Sequence, residues 1–190
     1  MNMLIITGMP GSGKDEFVKV AKELGFVDAH MGNTVKQNAL NHHIDMDDKS
    51  IGAYATEERR KYGMGIWAKR TAEFISNPDI TIIDGLRNEE ELEYFKNNFQ
   101  NIFVIAVFAN ESDRLERILN RDREDDGHDY SGMHQRDTRE LSWGIGKVIS
   151  LADFMIVNDS TLEEYHKNVR LLLSHIMERH PEINPENSGK

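Results

Sequence analysis

Cysteine is absent from this 190-residue chain. That lack removes a disulfide framework, a thiolate metal site, a thiol nucleophile and cysteine redox chemistry, and it fits a reducing interior. Long apolar runs are missing too. The opening stretch Met1 to Thr7 has no basic lead-in and stops at Gly8, far short of the ~20 residues of a membrane span and unlike a signal peptide. A soluble cytoplasmic protein with no membrane partner is expected. Basic residues number 23 against 33 acidic ones, a net charge of -10, which opposes general binding to nucleic acid but leaves room for a local basic pocket. Proline occurs 4 times, two of them after His180 among Asn, Ser and Gly, the composition of a flexible tail over 181–190. Internal repeats and low-complexity tracts are also lacking.

At ~100 to 200 residues per domain the length allows one compact unit, expected over 1–180. The hydrophobic fraction of 38% is low, yet a chain this long buries roughly 70% of its unfolded surface and needs no staple. Strand-length apolar runs occur at Met3 to Thr7, Gly25 to Met31, Ile80 to Asp84, Ile102 to Phe108 and Asp153 to Asn158. The first, third and fourth are apolar almost without alternation, as in parallel strands covered on both faces. Phe17, Ala21 and Leu24, and later Leu115, Ile118 and Leu119, recur at helical spacing, so strands alternate with helices and the fold class is α/β. Two connections exceed a simple crossover: a largely helical insert over about 32–78, and a polar segment over about 121–141. The second reads either as a lid or as a disordered surface loop.

The strongest local signal is Gly8-Met9-Pro10-Gly11-Ser12-Gly13-Lys14-Asp15, between an apolar strand and an amphipathic helix. Glycines let backbone N–H groups converge on phosphate oxygens, and the following helix N-terminus adds partial positive charge. Lys14 can reach the β and γ phosphates of ATP as a point charge. The usual pattern ends in Ser or Thr, whose hydroxyl ligates Mg²⁺, whereas Asp15 stands here. Its carboxylate could hold the metal directly or through water, or could repel the nucleotide.

The third strand delivers Asp84 to the carboxyl edge of the sheet, followed by Gly85-Leu86-Arg87. Asp84 is therefore assigned to orienting Mg²⁺, with a helix N-cap as the blander reading, and Arg87 to clamping an acceptor phosphate. Arg114, Arg117 and Arg121 lie at i, i+3, i+7 on one helix face, which is either a solvated face or a source of charge for a phosphoryl transition state. Arg136 and Arg139 approach from beyond the polar segment and could converge with them. Met31, Met64, Met133 and Met155 are read as packing residues, Trp67 likewise. His42 and His43, beside Asp45, Asp47 and Asp48, show no established ligand spacing and are read as exposed polar residues.

The order GMPGSGKD, DAHMGNTVK, IIDGLRN, RLERILNRDREDD, WGIGKVISLADFMIVND resembles a largely archaeal family of P-loop proteins related to adenylate kinase and dephospho-CoA kinase, a nucleoside monophosphate kinase-like group. The resemblance covers nearly the whole chain and implies a three-layer fold with a five-stranded parallel sheet of order 2-3-1-4-5. It implies that Gly8, Pro10, Gly11, Ser12, Gly13, Lys14 and Asp15 form the nucleotide phosphate loop, and that Asn158 lies near the adenine. By the same resemblance Lys36 begins the acceptor-binding helices, Asp84 to Arg87 form a Walker B-like turn, and Arg117, Arg121 and Arg139 flank the lid. Asn33 replaces a commonly acidic residue and Lys36 an arginine, which leaves the acceptor open.

The expected activity is ATP-dependent phosphoryl transfer to a small nucleotide-like acceptor, of nucleoside monophosphate or dephospho-CoA type, with catalysis by Lys14, Asp84, Arg117 and Arg121. Lys36, Arg87 and Arg139 would bind the acceptor, and Asp15 and Asp84 would hold Mg²⁺. A phosphate acceptor needs no base, whereas a hydroxyl acceptor would draw on Asp28 or His30. The alternative is a nucleotide-dependent switch or slow ATPase signalling to a protein partner, which Asp15 favours. The sequence leaves the oligomeric state open.

Overall fold

The computed structural model describes residues 2–75, 81–120 and 130–187. Strands β1 (Met3–Thr7), β2 (Val27–His30), β3 (Thr81–Asp84), β4 (Ile102–Phe108) and β5 (Phe154–Val157) form one sheet of order β2-β3-β1-β4-β5. All four pairings are parallel. The register sets Ile6 beside Asp84 and His30 beside Asp84, so the ends of the first three strands meet at one edge.

The unbroken apolar runs have the reason expected of them, because both faces are covered. Leu4 and Ile6 of β1 point into one core, with Phe17, Val20 and Ala21 of α1 (Lys14–Glu23) and Tyr165, Val169 and Leu173 of α9 (Leu162–Arg179). Met3 and Ile5 point the other way, into a second core with Trp67 of α4 (Ile66–Ala72), Phe95 of α5 (Glu89–Asn98) and Val148 of α8 (Ile145–Ser150). Phe17 and Trp67 are fully buried, each apolar side chain of that kind contributing about 1.5–3 kcal/mol. The insert between β2 and β3 is helical as expected: α2 (Met31–Asn41), α3 (Asp48–Tyr62) and α4. Asp47 caps α3 through Ser50 N at 3.0 Å, and Asn88 caps α5 through Glu91 N at 2.8 Å. The helix cap near Asp84 is therefore Asn88, which frees Asp84 from that blander role.

Three expectations need correction. Residues 181–187 are not a flexible tail: they form short 3-10 turns, Pro181–Ile183 and Pro185–Asn187, and Ile183 is buried in the α1/α9 core. Residues 188–190 lie outside the described part. Met155 fills no gap in packing and is 53% exposed, because β5 is an edge strand and only its Phe154/Ile156 face meets the core. The polar segment, from Tyr130 onward, is neither loop nor free lid but helix α7 (Tyr130–Trp143), with Met133, Asp137 and Glu140 buried. That face recurs at i, i+4, i+7, the spacing of one helical stripe, except that two of its three members are acids. Residues 121–129, with Arg121 and Arg123, lie outside the described residues.

Candidate active site

The loop between β1 and α1 turns tightly under the sheet edge. Gly13 has φ 104°, and a Cβ there would stand 2.2 Å from Asn158 Nδ2, so only glycine fits. Asn158 Nδ2 donates to Ser12 O at 2.9 Å and Tyr165 Oη to Gly13 O at 3.2 Å. Asn158 is itself held by Arg117, whose Nη2 donates to its carbonyl at 2.9 Å. From the other side Arg114 donates to Pro10 O at 3.0 Å and makes a two-pronged pair with Asp137 at 3.0 and 2.6 Å. Arg114 of α6 (Glu111–Asn120) is buried. Arg114 and Arg117 thus neither sit on a solvated face nor line the polar cavity below: Arg114 bonds the loop directly and Arg117 reaches it through Asn158.

Lys14 Nζ lies within the loop and donates to Gly8 O at 2.8 Å and Met9 O at 3.2 Å. Burial, and then the charge of Arg87, depress its pKa to about 8 against the partial opposition of Asp84, Glu140 and Asp15. Lys14, Asp15, His30, Asp84 and Arg87 line one polar cavity of ≈ 160 Å³. Lys36 lines it as well, and Arg139 lines a second cavity that shares Lys36 and Arg87 with the first. Neither Arg117 nor Asn158 is among the lining residues of the polar cavity.

Asp84 is fixed by a relay that spacing alone did not reveal. Its Oδ2 is 3.1 Å from His30 Nδ1, His30 Nε2 is 2.6 Å from Asp28 Oδ2, and Lys22 Nζ is 2.6 Å from Asp28 Oδ1. The hydrogen bond to Asp84 raises the His30 pKa, although burial opposes it. Both ring nitrogens face carboxylates, an arrangement that favours the doubly protonated ring. The other oxygen of Asp84, Oδ1, is buried without a hydrogen-bond partner. An unsatisfied carboxylate oxygen beside a phosphate-sized cavity suits a hard divalent cation such as Mg²⁺, and Asp15 shares that cavity.

The second cavity, ≈ 110 Å³, lies between α2, α3 and α7. Arg139 crosses α3 at Gly52, where a Cβ would be 2.5 Å from the guanidinium carbon, and bonds Asp48 Oδ2 at 2.7 Å. Arg136 also reaches Asp48, at 3.4 Å, and Arg87 Nε lies 2.8 Å from Glu140 Oε2. His42 and His43 are exposed on the far end of the insert, His42 3.2 Å from Tyr54 Oη.

A family model described as an AAA domain matches residues 4–140. A UPF0200 protein of Thermoplasma volcanium is 58% identical over 90% of this chain and 96% of its own length. The chain belongs to the UPF0200 family. A more distant UPF0200 protein, from Methanosarcina mazei, is 35% identical over 94% of this chain and 97% of its own length. Among solved structures the UPF0200 chain resembles shikimate kinase from Bacteroides thetaiotaomicron, with TM-score 0.63 and 13% identity over 91% of this chain and 98% of that one. A gluconokinase from Sinorhizobium meliloti gives TM-score 0.58 and 13% identity over 94% of each chain. At such identities the likeness shows the fold, a P-loop kinase-like α/β architecture. No helix among the described residues of this UPF0200 protein is long and apolar enough to cross a membrane.

Proposed function

We propose that this protein catalyses ATP-dependent phosphoryl transfer to a small anionic acceptor. The observation that carries the reading is that Lys14, Asp84 and Arg87 share one polar cavity, which abuts a second, partly apolar one. The loop N–H groups and Lys14 would bind the β and γ phosphates, and Arg87 would hold the acceptor against them, so that positioning and charge supply most of the rate. Asp84, with Asp15 across the cavity, would hold Mg²⁺, which neutralises phosphate charge when bound. Arg117 is a positioning residue acting through Asn158, and Arg121 remains a lid arginine on the family resemblance. Asn158 keeps its place near the adenine on the same ground.

The resemblance favours a nucleotide-like acceptor, of nucleoside monophosphate or dephospho-CoA type. The names of the structural neighbours add shikimate and gluconate, which accept through hydroxyls. His30 bears on this choice: with each nitrogen held by a carboxylate it is poorly placed to take a proton, which favours an acceptor that is already ionised. Incubation with γ-labelled ATP and a panel of nucleoside monophosphates, dephospho-CoA, shikimate and gluconate is expected to move label onto an acceptor. Label found solely as free phosphate would favour the switch or slow ATPase. Failure to turn over ATP at all would remove the reading. For Asp15→Ser a severalfold shift in the Mg²⁺ dependence of ATP binding is expected, and superimposable titrations would take Asp15 out of the metal site.

A further inference from the structure

The second cavity has two kinds of wall. Lys36, Arg87 and Arg136 line it together with the polar cavity, so their charge stands where the two cavities join, facing the phosphate loop. The remaining charged side chains of the wall are each engaged inside the protein. Asp48 Oδ2 accepts from Arg139 Nη2 at 2.7 Å, Glu140 Oε2 lies 2.8 Å from Arg87 Nε, and Arg59 Nη2 donates to Glu91 Oε1 at 2.7 Å. The guanidinium carbons of Arg59 and Arg139 also lie over the Trp143 ring, 4.3 and 5.7 Å from its centroid. The polar atoms of these side chains that lack a hydrogen bond, Nε and Nη1 of Arg59, Nε of Arg139 and Oε2 of Glu140, are buried, out of reach of water and of a ligand hydroxyl alike.

What the wall presents besides is carbon. Met31, Val35, Ile51, Ala55, Trp67 and Trp143 supply it. Trp67 Nε1 donates to Ala55 O at 3.2 Å and Trp143 Nε1 to Thr56 Oγ1 at 3.1 Å. Each indole thus spends its one donor within the protein. Gly32, Gly52 and Gly85 complete the wall without side chains. A ligand hydroxyl laid against such a surface gives up water for carbon, which costs on the order of tenfold in affinity. A methylene in the same place gains about fourfold.

We infer that the acceptor directs its anionic group toward Arg87 and lays an apolar body against this wall, where a polyol body is disfavoured. The inference rests on the kinase reading and narrows it. The chain shares its fold with the shikimate kinase and the gluconokinase but not the hydroxyl-rich class of acceptor that their names give. The charged mouth and the carbon wall divide the work: the first orients the reacting end, and the second chooses what is attached to it.

Calorimetric titration of the full chain, loaded with Mg²⁺ and a non-hydrolysable ATP analogue, tests this with two pairs of probes. Each pair shares one anion and one three-carbon body: n-propyl phosphate against glycerol 3-phosphate, and butyrate against 3,4-dihydroxybutyrate. In the pair whose anion binds more tightly, the apolar member is expected to bind at least tenfold more tightly than its dihydroxy twin, and at least tenfold more tightly than the bare anion, inorganic phosphate or formate. An equal or tighter diol would overturn the inference, and so would an equal bare anion. Val35→Thr keeps the shape of its side chain and puts a hydroxyl on the wall, and it is expected to cut the preference for the apolar twin at least threefold. Ile51→Thr, from the facing helix α3, is expected to do the same. A preference unchanged in both variants, with melting midpoints showing both folded, would place the body off this wall and overturn the inference. If the ATP analogue binds and no probe does, this inference fails alone. If the analogue itself does not bind, the kinase reading fails with it.

Discussion

Replacing Lys14 with Met is expected to abolish ATP turnover and, at the same time, to make the protein more stable. The first effect follows from removing a preorganised charge from the phosphates, where a single such donor is worth on the order of 10²–10³ in rate. The second follows from the cost of keeping an ammonium buried. With its pKa depressed from 10.5 to about 8, Lys14 costs the folded state about 3 kcal/mol at neutral pH, at ~1.4 kcal/mol per unit. The unfolded chain binds more protons than the native one between those values, so wild-type stability should rise as pH climbs from about 8 to 10.5, by linkage. Lys14→Met should lack that rise. Nucleotide affinity should move the opposite way, falling above about pH 8 as the ammonium in the site loses its proton. Chemical denaturation of both proteins across pH 7 to 11 reads the first effect, and nucleotide titration the second. A variant less stable than wild type at pH 7 would overturn the burial cost assigned to the ammonium, and one that still turns over ATP would disconnect Lys14 from the phosphates.

The second large effect concerns Arg114. Removing one member of a buried two-pronged ion pair leaves a stranded charge and typically costs 3–5 kcal/mol, which for a chain of this size lowers the melting midpoint by on the order of 10 °C. Arg114→Ala should show that loss, together with weakened nucleotide binding, because Arg114 also donates to Pro10 O at 3.0 Å. The double variant Arg114→Met/Asp137→Leu separates the two roles. It should recover much of the stability, since an apolar pair of similar volume replaces a buried salt bridge well. It should not recover nucleotide affinity, because the bond to the loop is still missing. Full recovery of both would reduce Arg114 to a packing element.

The strands were legible because parallel strands covered on both faces carry an apolar side chain at nearly every position, as in Leu4, Ile5 and Ile6. Their order across the sheet was not legible from periodicity and came from family resemblance. The loop was legible because its glycines and Lys14 fall within one short stretch between strand and helix. What escaped were charges that are buried only by virtue of distant partners. Arg139 meets Asp48 across 91 positions of sequence, and Arg114 meets Asp137 across 23. Nothing local distinguishes such residues from a solvated stripe. The acids of α7 misled for the same reason: polarity in a window suggests a loop, whereas Asp137 and Glu140 are on the inward face. Met155 misled in the opposite sense, since hydropathy does not say which strand ends the sheet.

Helix α9 braces the phosphate loop through Tyr165 to Gly13 O, and it reaches α1 through His166 with Glu16 and Arg170 with Glu23, each at 2.6 Å. A loop made early in translation thus waits for a buttress made late. While the chain is still being synthesised, β1 and the glycines are outside the ribosome with neither the flanking β4 nor α9 to fix them, and domains fold as units. A growing chain would therefore ignore cellular ATP until α9 has emerged.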